Sequence, residues 1–476
     1  MTYNKDHGSF SNLRQLLFLI LFFKEDGFAF RYPMNVFFDK KIEEASIIQK
    51  WRGYNNQSGN LQLYIHSIFC DTRCNYCDCE SLIKVNNADT SKYKDYLLAD
   101  IAKYWKVIEK PLDSLYFWGW TFNLLSDPEI IELCQCVKDS FTLSKECRWQ
   151  VEIHPYYLTD STLEILKDFW VTDLMLWIQT TSIRVNALNN RKFDLIKLDT
   201  AIDSIIKLWF KKVSFDMMYN LPFMTLEDTR NDLEYAYLIW EKIKRSGMSV
   251  NIEINRWDLS MRTSFANMFL SKWWKDKFFD ICKYYIGNSK KVVGVVNQYI
   301  DEKFLWLFDT HREEIEERKN KNTAILWFWL SATSYIPGVL AYENTSYNSW
   351  KDLESKFVWY ELKEIDNDLS FISDNLRRWI EKKKFTDSLN KSEKIESFYD
   401  AYKDLFIEKD WYVRMNVNTD IENDLLNLYL IDDKILDSRH SYLLSRWTEL
   451  WFSSHDLEKQ SGLFLEYYYN RNKLYW

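Results

Sequence analysis

Glycine is the residue this sequence most lacks. Ten glycines stand in 476 positions, where ordinary usage of ~7% would place roughly 33. Tryptophan is correspondingly abundant, with 22 copies, and the two counts together come to 32. That total is close to an ordinary glycine count alone. The near-equality carries a hypothesis: many of these tryptophans are glycines in the living cell. UGA codons that the organism reads as glycine become tryptophan under another code. The alternative is an aromatic-rich protein, and position along the chain decides between them.

Other absences exclude function classes. Basic residues are not in excess, 62 Lys and Arg against 70 Asp and Glu. The net charge of −8 argues against nonspecific nucleic-acid binding. The run Leu16 to Phe23 is eight residues long, too short to span a bilayer. Lys24, Glu25 and Asp26 follow it in place of a small-residue cleavage site, so the expectation is a buried helix rather than a signal core. Eight cysteines without a clear secretion signal fit a reducing cytoplasm. No internal repeat or low-complexity tract appears.

What is present is enough for a large core. Hydrophobic residues make up 47% of the chain, and its length allows two or three domains. Apolar spacing predicts helices over 91–109, 127–138, 160–168, 199–208 and 227–246, with a shorter one near 183–188. Ser126 is a suitable N-cap. Strands are expected at 61–65, 114–117, 150–153, 173–178, 212–217 and 249–254. Alternation at this rhythm predicts parallel βα units. About six fit between residues 61 and 300, too few for an eightfold barrel. In such folds ligands gather at the C-terminal ends of the strands. The segment 303–321 is charged and expected to be helical, and short strands are expected near Trp411 to Val417.

The sequence is organised around residues 64–80, YIHSIFCDTRCNYCDCE. Cys70, Cys74 and Cys77 stand at Cys-x3-Cys-x2-Cys, and Cys79 follows two residues on. Thiols this close in a chain this long read as a metal cradle rather than a disulfide framework. The spacing differs from a zinc ribbon and from ferredoxin runs with four thiolates. A buried or zinc-bound cysteine cluster is the competing reading. Three thiolates on a four-iron cluster leave one iron able to bind another ligand.

This stretch resembles the cluster loop of radical S-adenosylmethionine (SAM) enzymes. With Tyr64 and His66 ahead and Cys79 behind, it is most similar to the oxygen-independent coproporphyrinogen III oxidase family, or to its haem-chaperone relative. The resemblance implies an α/β fold: a partial (β/α)6 radical SAM barrel with an N-terminal extension and a smaller, mainly helical C-terminal domain. The corresponding boundaries are 1–60, 61–300, 301–385 as a barrel-closing and connecting segment, and 386–476. It also implies that Cys70, Cys74 and Cys77 hold a 4Fe–4S cluster and that S-adenosyl-L-methionine is the second cofactor.

Five further stretches carry the resemblance. In LYFWGWTFNLL, residues 115–125, Trp118, Gly119, Trp120 and Thr121 stand where the family has three glycines and a threonine. The backbone there must approach the methionine part of SAM, and a Cβ would obstruct it. In VEIHP, residues 151–155, Glu152 would accept hydrogen bonds from a ribose hydroxyl or an ammonium group, although an isolated strand Glu is usually solvated. In LMLWIQTTSIRVNALNNR, residues 174–191, Gln179 would bond the cofactor and Arg191 would pair with its carboxylate. Asp216 in VSFDMMYNLP completes that shell, with Tyr64 from the first strand. In ILWFWLSATSYIP, residues 325–337, Trp327 and Trp329 again replace glycines. Trp170, Trp177, Trp209 and Trp379 do the same, so position favours recoding. Asn220 also replaces a glycine, and Asn tolerates left-handed φ; Phe223 is a plain departure. His66 reads as a hydrogen-bonding residue behind the cluster; His154, His311, His440 and His455 show no metal spacing. Cys134, Cys136 and Cys147 read as ordinary helix or strand residues.

The chemistry implied by the resemblance is reductive cleavage of SAM to a 5′-deoxyadenosyl radical. In the oxidases this removes hydrogen from porphyrinogen propionates, which lose carbon dioxide to become vinyl groups. A tetrapyrrole substrate, an electron donor such as flavodoxin or ferredoxin, a monomeric state, and neither nucleic acid nor membrane as partner follow as expectations. A haem chaperone, or another radical SAM enzyme such as a methyltransferase or haem-degrading enzyme, would share the cofactor residues.

Overall fold

In the computed structural model, residues 40–257 are described except 80, 85 and 120. Beyond them the described residues are chiefly 263–268, 323–328, 333–344, 357–362, 380–390, 406–415 and 433–449, with isolated residues elsewhere. The segment 303–321 lies outside the described residues.

The strand–helix rhythm is borne out. The chain runs β1 (Asn60–Ser67), α1 (Asn87–Tyr104), β2 (Leu112–Gly119), α2 (Asp127–Ser140), β3 (Leu143–Ile153) and α3 (Asp160–Asp168). It continues through β4 (Asp173–Gln179), α4 (Leu195–Leu208), β5 (Lys212–Tyr219), α5 (Leu226–Arg245) and β6 (Ser249–Arg256). A short helix, Ile183–Leu188, lies between β4 and α4. The six strands are parallel neighbours in the order β1-β2-β3-β4-β5-β6. Their central stretches read as near-continuous apolar runs because helices cover a parallel sheet.

Local chemistry fixes where the helices begin. Ser126 caps α2, its N–H donating to Glu129 Oε2 at 2.7 Å. Asn86 and Asp89 form a capping box on α1, and Thr225 and Asp228 one on α5. Asp194 caps α4, accepting from the N–H groups of Ile196 and Lys197.

Beside β1 lies β7 (Thr323–Phe328), parallel and in register from Thr323↔Asn60 to Phe328↔Ile65. Antiparallel strands Thr333–Ile336, Leu340–Asn344, Phe357–Glu361 and Lys40–Ile42 extend the sheet outward to eleven strands. The strand at Lys40–Ile42 and β6 are its two edges.

Compactness divides the chain into two units. Residues 40–258 with 294–359 form one, and residues 1–39, 259–293 and 360–476 form the other. The second unit holds a three-stranded antiparallel sheet, Ile380–Glu381, Tyr412–Met415 and Phe406–Lys409, with helices Lys382–Leu389 and Asp433–Glu449. Gln15, Leu16, Phe18 and Leu19 are helical, and the last three are buried, as expected for the apolar run. Phe18 meets Trp447 edge-on at 5.7 Å. Among the described residues, no helix is long and apolar enough to cross a membrane.

Candidate active site

The C-terminal halves of β1 to β5 and the turns after them carry the residues of the candidate site. The cysteine loop leaves β1 through a two-residue parallel ladder between Phe69–Cys70 and Leu82–Ile83. Cys70, Cys74 and Cys77 form no disulfide and share one electrostatic environment. Burial raises the Cys70 thiol, and neighbouring Cys77 and Cys74 raise it further. Burial also raises Cys74, against which the Arg191 guanidinium pulls downward. Thr121 hydrogen-bonds Cys70, and Arg191 hydrogen-bonds Cys74.

The loop is fastened to the turn after the short helix. Asn75 N–H donates to Asn189 O at 2.9 Å, and Asn75 Nδ2 to Leu188 O at 3.0 Å. Thr72 Oγ1 donates to Asn190 O, and Asn190 Nδ2 returns a bond to Arg73 O, each at 3.0 Å. Asp71 accepts from Tyr157 OH at 2.9 Å and pairs with Lys192. Trp257 Nε1 donates to Tyr76 O at 2.8 Å. None of these fasteners was singled out in the sequence, where polar side chains 100 residues apart leave no periodic signal.

Behind the loop, Gly119 ends β2 at φ +125. A Cβ there would stand 2.2 Å from Ser67 O, so only glycine fits. Its N–H donates to Glu152 Oε2 at 3.3 Å, linking two residues expected to act together. Thr121 reaches Cys70. The Trp118 backbone lies in β2; its side chain and all of Trp120 fall outside the described residues. Tyr64 is buried, its hydroxyl 3.1 Å from His66 Nδ1, and Tyr93 OH donates to His66 O. Burial pushes the His66 imidazole down to about 3, so it is neutral.

Farther along the sheet, Gln179 sits at φ 67, where the β4–β5 register slips. A non-glycine residue in that region is strained, and such strain clusters at functional sites. Gln179 Nε2 donates to Asp216 Oδ2 and Asn255 Nδ2 to Asp216 Oδ1, both at 2.6 Å. Burial, followed by the Glu253 charge, pushes Asp216 up to about 7, while Asn255, Gln179 and Arg191 pull it back. Arg191 Nη2 donates to Trp177 O. Thus Arg191 bridges the cysteine loop and β4.

The donor set fits a cubane and a polar ligand. Gln179 Oε1 and Arg191 Nε are buried without a hydrogen-bond partner among the described residues. Unmatched polar atoms at such a place call for a ligand to satisfy them. Among the described residues no group of three or more His, Cys, Asp and Glu could hold a single ion. Cubane thiolates each take a different iron, so they need not converge on one point.

Residues 64–236 match the sequence profile of the Radical SAM superfamily, so the chain carries a radical SAM domain on its partial β/α barrel. Domains of this kind use a 4Fe–4S cluster and SAM. The chain is similar to the heme chaperone HemW of Buchnera aphidicola, 27% identical over 177 residues, 37% of this chain and 47% of that protein. It is also similar to the oxygen-independent coproporphyrinogen III oxidase of Helicobacter pylori, 23% identical over 210 residues, 43% of this chain and 46% of that protein. The chain spans about half the length of the curated relatives it matches. In fold it is similar to the Escherichia coli coproporphyrinogen III oxidase (HemN), described as a radical SAM enzyme. That match has a TM-score of 0.62 and 15% identity, and covers 87% of this chain and 98% of that one.

Proposed function

We propose that this protein is a radical SAM oxidoreductase that decarboxylates the propionate side chains of a porphyrinogen to vinyl groups, with one electron from a flavodoxin or ferredoxin to start SAM cleavage and the electron left on the substrate radical as carbon dioxide departs passed to a one-electron acceptor. The cluster and SAM, when bound, supply radical hydrogen abstraction, which an amino-acid side chain cannot perform. The chain's own residues position them. Cys70, Cys74 and Cys77 would hold the cluster. Arg191, beside Cys74, compensates the thiolate charge, and its unmatched Nε is available to a carboxylate. Gly119 brings backbone close to the methionine end, and its N–H orients Glu152 toward an ammonium or ribose donor. Gln179 is held by Asp216 so that its unmatched Oε1 can accept from the ligand. Tyr64 and Thr121 complete the wall.

The observation that favours the oxidase branch is Cys79, two residues past the third ligand. The chaperone branch usually has another residue there. The 27% identity to a heme chaperone supports the second reading, haem binding without decarboxylation. Anaerobic reconstitution with iron, sulfide and SAM, followed by chromatography for 5′-deoxyadenosine and a coproporphyrinogen III decarboxylation assay, tests the enzyme. Product of both kinds is expected. An intact cluster spectrum with neither product overturns the proposal, and tight haem binding in the same sample would establish the chaperone.

A further inference from the structure

Three successive helix-to-strand connections in the sheet use left-handed backbone. After α5 the residue is Gly247, at φ +87, its N–H bonded to Lys244 O at 3.0 Å. After α3 it is Trp170, at φ 66, and after α4 it is Trp209, at φ 58. The hydrogen bonds around these two tryptophans are those of glycine caps. Trp170 N–H bonds Lys167 O at 2.9 Å and Val171 N–H bonds Leu166 O at 3.0 Å, the two bonds of a Schellman motif. Val171 and Leu166, the positions where such a motif is usually apolar, are buried, 3% and 0% exposed. Trp209 N–H is shared between Ile205 O at 3.0 Å, the bond of the αL motif, and Ile206 O at 3.2 Å, and Phe210 after it is fully buried. The residue at such a position is usually glycine, because a Cβ crowds the backbone there.

Burial gives no reason for an indole at either place. Trp170 is 71% exposed and Trp209 57%. Lys138 Nζ lies 4.1 Å from the Trp170 ring centroid, an exposed contact that leaves the φ value as strained as before. One more position points the same way. Trp327, in β7, presses its ring to 3.9 Å from Tyr64, and its Nε1 is buried with no hydrogen-bond partner among the described residues. Other tryptophans are used as tryptophan. Trp51 is fully buried, and its Nε1 donates to Tyr342 OH at 2.9 Å.

We propose that residues 170, 209 and 327 are glycine in the working protein, inserted at UGA codons, and that positions 118, 120 and 177 beside the cofactor residues follow the same rule. The low glycine count and the tryptophan excess are then one fact. Phe223, at φ 67 and 42% exposed, occupies the same backbone region and is not explained by such codons.

The primary test is peptide mass spectrometry of the protein isolated from its own cells. Glycine at residues 170 and 209 is expected; tryptophan at either overturns the proposal. A second test uses the full chain made recombinantly as written. Trp170→Gly and Trp209→Gly should each raise the melting temperature by about 1–3 °C, while Trp51→Gly lowers it. A fall for either cap variant overturns the assignment even if the peptides are not recovered. A third arm rests on the cofactor reading. With glycine at 118, 120, 177 and 327, the anaerobic iron-loaded chain should bind SAM at least about tenfold more tightly by equilibrium dialysis. If the first two tests succeed and this one fails, the SAM site is wrong and the glycine assignment stands.

Discussion

Asp216 accepts hydrogen bonds on both oxygens yet is pushed up to about 7 from 3.8. Burial and Glu253 outweigh the donors. The sign follows from linkage. A carboxyl whose folded-state pKa is raised holds its proton in the native state where the unfolded chain has lost it. Stability therefore falls as pH rises between about 4 and 7 and is flat on either side. Asp232, pushed up to about 6 by burial, adds in the same direction. Asp216→Asn should lower stability by about 1–3 kcal/mol, since one donor then faces another donor. It should also reduce the loss of stability between pH 5 and pH 8 in cofactor-free protein. Urea midpoints at the two pH values measure both, and an unchanged pH difference would show that Asp216 does not carry the effect. The cysteines separate at the same scale. Cys70→Ser, Cys74→Ser and Cys77→Ser should each abolish the 4Fe–4S absorbance after anaerobic reconstitution, whereas Cys79→Ser keeps it. Iron content per chain is the check. These residues were legible because ligand spacing is local. Asn255, which also holds Asp216, was not, because nothing near it in sequence marks it.

At the scale of elements, the cysteine loop has little regular structure of its own. It is placed by hydrogen bonds to the Leu188–Asn190 turn, and by Asp71 to Tyr157 and Lys192. Asn75→Ala removes the bond to Leu188 O and leaves the backbone bond to Asn189 O intact. The site is exposed, so the cost should be about 0.5–1 kcal/mol. Amide exchange over residues 70–79 should speed up by about two- to fivefold, that energy expressed as an opening constant. Exchange unchanged within the loop would mean that the turn does not hold it. Periodicity read the regular elements well. Helix 160–168 has the bounds that its apolar spacing gives, because Thr159 caps it and the Schellman turn ends it. Strand β3 begins at Leu143, seven residues before the expected start, because Leu143 to Arg148 are half-exposed or exposed and lack an apolar run.

Across the whole molecule, the parallel set does not end where the βα rhythm ends. Strand β1 is buried from Leu61 to Ser67 and has β2 on one side and β7 on the other. The resemblance implied a barrel-closing segment at 301–385, but short strands such as Thr333–Ile336 carry too few residues for alternation to show, so its individual strands were not legible. The extension has a physical consequence. A chain cut after residue 300 loses β7 and everything beyond it, leaving the inner strand β1 as an edge. That edge would present a row of unpaired backbone groups beside Leu61, Leu63 and Ile65, each at most 1% exposed in the whole chain. The truncated protein should therefore aggregate or unfold without a cooperative transition, even though it keeps all three cysteine ligands and Glu152, Gln179, Arg191 and Asp216. Calorimetry and sedimentation of the cut and full chains distinguish the outcomes. A soluble fragment with a sharp transition would mean that six βα units sustain themselves, and that β7 matters only for what it places beside Tyr64.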